Sequence, residues 1–226
     1  MTFKELQSKL SIDLVESEWR QAKGGGWIQN SAKVECEDNI KGDSIIMDKA
    51  RIFGNARVYG KAWVSGNALV YGNAQVTGDA WVSGDAQVLG NAFVAGNALV
   101  SGYAQVSDAL VTEDAQVAGN AQVSGDARVY GNAQVTGDAR VYGDAHVSGD
   151  AMVYGDAHVS GDAMVYGNAQ VSGDASIKGS PIVTGPVGFT PPFEISDGRS
   201  NFHGERRDKA YSQDRSRIRQ SSSRMH

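Results

Sequence analysis

From Ile28 to Val183 the chain repeats one six-residue phrase: Gly, then usually Asn or Asp, Ala, a variable residue, Val, and a second variable residue. Gly54-Asn55-Ala56-Arg57-Val58-Tyr59 followed by Gly60-Lys61-Ala62-Trp63-Val64-Ser65 is typical. A period this short cannot hold a pair of helices, so the repeat predicts a solenoid of strands. In Ala-x-Val the first and third residues of an extended segment point to one side and the middle residue to the other. Ala and Val are therefore expected inside, with the residues before and after Val facing out. Gly followed by Asn or Asp supplies the corner, since Gly tolerates positive φ and the Asx side chain bonds local backbone. One short strand and one corner per six residues makes a three-sided coil of 18 residues, and the array Ile28–Val183 holds about nine coils. At roughly 4.8 Å per coil the rod is on the order of 40 Å long.

The aliphatic position keeps its step of six from Ile28 through Val34, Ile40, Ile46, Ile52 and Val58 as far as Val106. There one unit is a residue short (Val106-Ser107-Asp108-Ala109-Leu110-Val111), after which the step resumes to Ile177 and Val183. Before the repeat, Phe3, Leu6, Leu10, Leu14 and Val15 form the stripe of an amphipathic helix within residues 3–21. A solenoid leaves an open apolar end that must be covered, so this helix is expected to be the N-terminal cap. Residues 1–26 are thus a capping helix and a Gly24-Gly25-Gly26 linker, and residues 27–184 the β-helix. Gly185-Pro186 and Pro191-Pro192 mark the expected exit, because proline cannot donate to a ladder. Residues 185–226 are expected to be an irregular, disordered tail, with eight Lys or Arg against four Asp or Glu from Asp197 onward.

These residues resemble the hexapeptide-repeat proteins, a family shared with bacterial acyltransferases. The matching pattern is an aliphatic residue with a small residue four later, as in Val58 and Ala62. The resemblance covers residues 28–183 and implies an all-β, left-handed, triangular, single-stranded parallel β-helix, with a right-handed helix of the filament-forming type as the alternative. It departs after the aliphatic position, where the family often has Gly, Ala or an acid and this chain has Tyr59, Ser65, Tyr71 or Thr77. It also implies relatives that assemble as side-by-side trimers, and points to loop-free bacterial or phage-borne members with structural or attachment roles. In the family's enzymes a His beside a loop excursion activates the acceptor hydroxyl.

Composition removes several other classes. A net charge of −5 and a pI near 5.3 give no reason to expect nucleic acid along the body, leaving only the basic tail for such a contact. Cys36 is the sole cysteine, so neither an internal disulfide framework nor a cysteine metal cluster is available. No signal-like or membrane-spanning apolar run occurs, and the cytoplasm is the expected compartment. No phosphate loop, dinucleotide fingerprint, zinc spacing or nucleophile elbow is present.

Steps of 18 make the outer faces unequal. One outward column runs Trp27, Ile45, Trp63, Trp81, Leu99, while its neighbours run Lys33, Arg51, Leu69, Gln87, Gln105 and Asn39, Arg57, Gln75, Phe93. Past the short unit the first column becomes Gln116, Gln134, Met152 and Gln170. Trp27, Ile45, Trp63, Trp81 and Leu99 are the candidate interface, for a homo-oligomer, with a trimer favoured, or one protein partner. A helix folded back over the column is the rival reading. Asp126, Asp144, Asp162 and Asp138, Asp156, Asp174 also recur at 18. Such stacks can recruit Ca²⁺ through oxygen ligands, but turn aspartates are ordinarily solvated, so no metal and no cofactor is expected. His146 and His158 stand in the block 143–154, which is repeated identically as 155–166. Twelve residues are two-thirds of a coil, so the copies fall on different faces, and no unit carries a loop that would wall a pocket. No catalytic residue is assigned. The expected function is a non-catalytic β-solenoid scaffold, with an acyltransferase-like transferase or an end-to-end filament as alternatives.

Overall fold

The computed structural model of the chain describes residues 1–11, 13–184, 194–195 and 201–203. It is a parallel β-solenoid of about nine coils whose strands fall into three sheets of ten, ten and nine strands. The first sheet begins with β1 (Trp19–Gln21) and β2 (Trp27–Gln29) and continues through Ile45–Ile46, Trp63–Val64, Trp81–Val82 and Leu99–Val100 to Gln170–Val171. The second runs from Lys33–Val34 to Glu194–Ile195, and the third from Arg57–Val58 to Asn201–His203. One strand per sheet per coil gives the triangular section that the repeat predicts.

The inward positions are as expected. Val58, Val64, Val70 and the aliphatics below them are fully buried, as are Ala62, Ala68 and Ala74. Each coil hangs on the next by backbone bonds at regular stations. Trp63 N donates to Ala80 O at 2.9 Å, Ser65 N to Val82 O at 2.9 Å and Asn67 N to Gly84 O at 2.8 Å. The corner glycine is required twice over. Gly66 has φ +70°, and a Cβ there would lie 2.7 Å from Gly84 O and 2.9 Å from Gly84 N in the coil below.

The short unit is spliced rather than skipped. Phe93 pairs with Leu110, Leu99 with Gln116 and Gln105 with Gln122, so all three strands remain in register across one 17-residue coil. At a full corner the residue after Gly donates its N–H to a Gly carbonyl in the next coil, as Asn73 does to Gly90 at 2.8 Å. Asn91 has no such glycine below it. Its N–H donates to Asp108 Oδ1 at 2.8 Å, so a side-chain carboxylate takes the place of the missing backbone carbonyl. Asp108 adopts the left-handed corner conformation (φ 58°), and its carboxylate also accepts from Asn91 Nδ2 and Ser107 Oγ. The Asn91 N–H, and then the Ser107 hydroxyl, hold the Asp108 carboxyl below the usual aspartate range.

The N-terminal helix is shorter than the stripe expected within residues 3–21. Helix α1 (Phe3–Leu10) opens with a capping box in which Thr2 Oγ1 accepts from Glu5 N while Thr2 N donates to Glu5 Oε2. It stops at Leu10 because Ser11 turns left-handed (φ 53°) and closes the helix on Gln7 O. The stripe continues only as isolated residues: Leu14 packs with the helix cluster, and Val15 is exposed. The helix lies along the flank of the first sheet, where Leu6 is buried with Trp19, Trp27 and Ile45. At the N-terminal end, β1 pairs antiparallel with β2, and Gly24 N and Gly26 N donate to Glu37 O and Ile40 O. The β1–β2 hairpin thus stands at the N-terminal end, and helix α1 packs beside it on the Trp27–Ile45 flank.

The far end also departs from the boundary drawn at 184. Glu194–Ile195 pairs in parallel with Ser176–Ile177, and Asn201–His203 with Ile182–Thr184. Ile195 joins the core, and Lys178 donates to Ile195 O and pairs with Glu194 at 3.2 Å. Pro181 shows why a proline need not end the ladder, since its carbonyl still accepts from Met164 N at 2.9 Å. The remainder of the expected tail lies outside the described residues.

Two stability experiments follow. Gly66→Ala should lower the thermal midpoint by more than the left-handed penalty alone, about 1–2 kcal/mol, because its methyl also meets the Gly84 backbone. An unchanged midpoint would show that the corner gives way. Asp108→Ala should destabilise the rod at neutral pH. Because the folded Asp108 carboxyl is the stronger acid, its contribution is present above the ordinary aspartate value and is lost as pH falls through the lowered one. The difference in midpoint between wild type and Asp108→Ala should therefore shrink in strong acid.

Candidate interaction faces

The outward residues of the first sheet stack in one column. Trp27 is paired with Ile45, Ile45 with Trp63, Trp63 with Trp81 and Trp81 with Leu99. The column has two parts. Trp27 and Ile45 are buried beneath the N-terminal segment, with the Phe3 and Trp27 rings 5.5 Å apart and Trp27 Nε1 donating to Met1 O at 3.0 Å. Trp63 is half-buried, with Lys9 Nζ 5.3 Å above its ring. Desolvation in this contact lowers the Lys9 pKa. Beyond Trp63 the cover ends. Trp81 is 44% exposed and Leu99 half-exposed.

The Trp81 ring is held by residues of the coil above it. Its Nε1 donates to the buried Ser65 Oγ at 3.3 Å, and it meets the Trp63 ring in an edge contact with centroids 5.5 Å apart. The side chain is thus oriented before anything touches it. Tyr103, 65% exposed, stands at the corner between the first and second sheets, next in the chain after Leu99–Val100. It occupies a corner station that elsewhere carries Asn67, Asp85 and Asn120.

A second patch on the second sheet escapes a reading confined to the residue before each aliphatic. The residues after Ile52, Val70 and Val88 are Phe53, Tyr71 and Leu89. They stack, since Phe53 N donates to Val70 O and Tyr71 N to Val88 O. Leu69 lies on the same strand as Val70. Tyr71 is 53% exposed, and Phe53, Leu69 and Leu89 are partly so. The same step of 18 applied to the second outward position reveals this column in the sequence.

The corners carry polar ladders. Asn55 Nδ2 donates to Asn73 Oδ1, Asn73 to Asn91, and Asn91 to Asp108, at 3.1–3.2 Å. Elsewhere an Asn amide donates to the Asp carboxylate of the next coil: Asn67 to Asp85, Asn97 to Asp114, Asn120 to Asp138 and Asn132 to Asp150, at 2.8–3.0 Å. The runs Asp126-Asp144-Asp162 and Asp138-Asp156-Asp174 have no amide between their carboxylates. Among the described residues no group of three or more His, Cys, Asp or Glu is placed to hold a metal ion. His146 stands on the third sheet between Arg128 and Met164, its ring 6.4 Å from Tyr130. His158 stands on the second, between Arg140 and Ser176. The register does not bring the two histidines together.

Six segments match the family model described as the YdcK beta solenoid repeat: residues 50–66, 62–78, 121–137, 133–149, 145–161 and 157–173. All six segments lie within the β-solenoid, whose six-residue period is that of the hexapeptide-repeat proteins the sequence resembles. Among solved structures it is similar to a UDP-N-acetylglucosamine acyltransferase from Campylobacter jejuni (16% identity, TM-score 0.41, covering 59% of this chain and 67% of that one). It is also similar to an LpxA from Acinetobacter baumannii (11% identity, TM-score 0.48, covering 82% and 72%). At these scores the likeness carries no functional argument. No curated protein matches the chain. No helix among the described residues is long and apolar enough to cross a membrane.

The ladders predict the sign of one substitution. Asp144→Asn would set an amide above Asp162, as Asn132 stands above Asp150, and would remove a carboxylate that repels Asp126 by about 1 kcal/mol in water. The thermal midpoint should rise, and the gain should fall as salt screens the repulsion.

Proposed function

We propose that this protein is a non-catalytic cytoplasmic scaffold, a rigid rod that assembles side by side through the uncovered part of its first sheet. The observation that carries this reading is Trp81, an exposed indole held in place by Ser65 and Trp63 and continued by Leu99. A free rod wets this surface at a cost, and a partner that covers it recovers the hydrophobic free energy of a large aromatic. Orientation of the ring in advance reduces the entropy lost on contact. Side chains of this kind, aromatic and set in a mostly polar surround, supply a large share of binding energy at protein interfaces.

Helix α1 supports the same reading from the other direction. The chain spends its own helix to cover Trp27, Ile45 and half of Trp63, which shows how the column is satisfied when apolar side chains meet it. The residues left over begin where the helix ends. A homo-oligomer is the favoured assembly, and three copies is the number that the family resemblance suggests.

Sizing with light scattering tests the proposal. Wild-type protein should elute as an oligomer, and Trp81→Gln with Leu99→Gln should elute as a monomer with the melting curve retained. Gln is chosen because the array already uses it at outward positions such as Gln116 and Gln134. An oligomer of unchanged mass in the double variant overturns the reading.

A further inference from the structure

The apolar column of the second sheet has a charged end. Lys33 is the register partner of Arg51, and Arg51 of Leu69, so two exposed cations stack at strand spacing just before the apolar residues. Like charges set directly opposite one another on a sheet are unfavourable. Lys49, also exposed, stands at the corner two residues before Arg51. Among the described residues no carboxylate lies within ion-pair distance of Lys33, Lys49 or Arg51. The two acids next to them in the chain are engaged by corner backbone: Glu35 Oε2 accepts from Gly54 N at 2.7 Å, and Asp48 Oδ2 from Gly66 N at 2.9 Å. At the far end of the column, Asp85 holds the corner of the Leu89 unit and accepts from Asn67 Nδ2. The face is thus basic at Lys33 and Arg51, apolar through Phe53, Leu69, Tyr71 and Leu89, and bordered by an acid at its last step.

We infer that this face binds a short segment of a different protein, acidic at one end and apolar at the other, with its carboxylates on Lys33 and Arg51 and its apolar side chains on Tyr71 and Leu89. The charge of the occupant follows from the stacked cations. A carboxylate laid across them relieves a repulsion that nothing in the chain relieves, and Arg51 offers it a planar, two-pronged donor. The apolar part covers Tyr71, which is 53% exposed, and the half-exposed Phe53, Leu69 and Leu89. Asp85 fixes the direction, because a segment laid the other way would bring its acids against this carboxylate. From Lys33 to Leu89 is three coil steps, about 14 Å, which an extended segment of about five residues spans. A nucleic acid or a membrane fits less well, since both ask for cations along the whole contact and here the cations stop at Arg51. The inference does not rest on the Trp81 reading, because the face belongs to another sheet.

Selection from a displayed library of random dodecapeptides tests this. Immobilised wild-type protein is panned in the presence of an excess of the soluble double variant Arg51→Glu, Tyr71→Ser, which removes peptides that bind elsewhere on the rod. Circular dichroism and a retained melting curve should confirm that the variant folds; Ser already follows aliphatics in the array, as at Ser65 and Ser107. Enriched peptides should carry Asp or Glu toward one end and Leu, Phe or Tyr toward the other. The best of them, labelled with fluorescein and followed by anisotropy, should bind wild type less tightly as salt rises. It should lose affinity about tenfold or more in Arg51→Glu and in Tyr71→Ser taken singly, and keep it in Trp81→Gln. Failure to enrich any peptide, enrichment of neutral or basic ones, or affinity kept in both single variants overturns the inference. Affinity lost in Trp81→Gln also overturns it, because the binding then belongs to the first sheet. If vesicles of phosphatidylserine and phosphatidylcholine co-sediment with wild type and not with Arg51→Glu, the face is a membrane contact and the peptide reading falls. None of these outcomes touches the Trp81 reading, which sizing alone decides.

Discussion

Everything in this fold depends on one backbone constraint: each coil must lie directly on the next, at strand spacing, all the way round three corners. Strands satisfy it easily, since the ladder bonds between flat segments are ordinary parallel pairings. Corners do not. At Gly66 the chain turns left-handed while the Gly84 backbone sits under it, closer than a Cβ tolerates. Glycine at the corner, Ala and Val inside, and a variable residue outside are then consequences of stacking. Because each coil touches only its neighbours, stability accumulates along the rod rather than in one core.

The same stacking turns every outward station into a column, so vertical neighbours matter more than sequence neighbours. Asn over Asp makes a bond, as at Asn120 and Asp138, whereas Asp over Asp makes a repulsion. Trp over Trp makes an edge contact, as at Trp63 and Trp81. Asp108 is the sharpest instance. A deleted corner residue leaves Asn91 without its backbone acceptor, and the one side chain short and acidic enough to reach back supplies it. Register on all three sheets survives a defect that would otherwise displace half the rod.

Much of this was legible in the sequence because a repeat states its own geometry many times. Inward Ala and Val, the three-sided coil and the Trp27–Leu99 column follow from periods of six and 18. What was not legible depends on single contacts. The helix stripe through Leu14 and Val15 did not reveal that Ser11 would turn left-handed, nor that the helix would choose the Trp27–Ile45 flank over the end of the coil. Proline was read as a mark of exit, yet Pro181 keeps its carbonyl and still receives the Met164 N–H from the strand above it. Phe53, Tyr71 and Leu89 were in plain sight, but only at the second outward position.

The duplicated block sharpens where a working surface can lie. Residues 143–154 and 155–166 are identical, and twelve residues carry the chain two-thirds of the way round. The copies therefore put His146 on the third sheet and His158 on the second, Met152 on the first and Met164 on the third. A face under functional constraint would have to be copied in steps of 18 to remain a face. The second half was extended without that restriction, which its backbone permits because every unit satisfies the same corner and the same core. The first half does not have this freedom. Its Trp–Leu column and its Phe–Tyr–Leu column hold together only in the 18-residue register, and a six- or twelve-residue copy anywhere between Phe53 and Leu99 would scatter both. On the proposed reading, imperfect repeats mark the part of the rod where side chains are tied to a surface, and perfect repeats the part where the backbone alone sets the pattern.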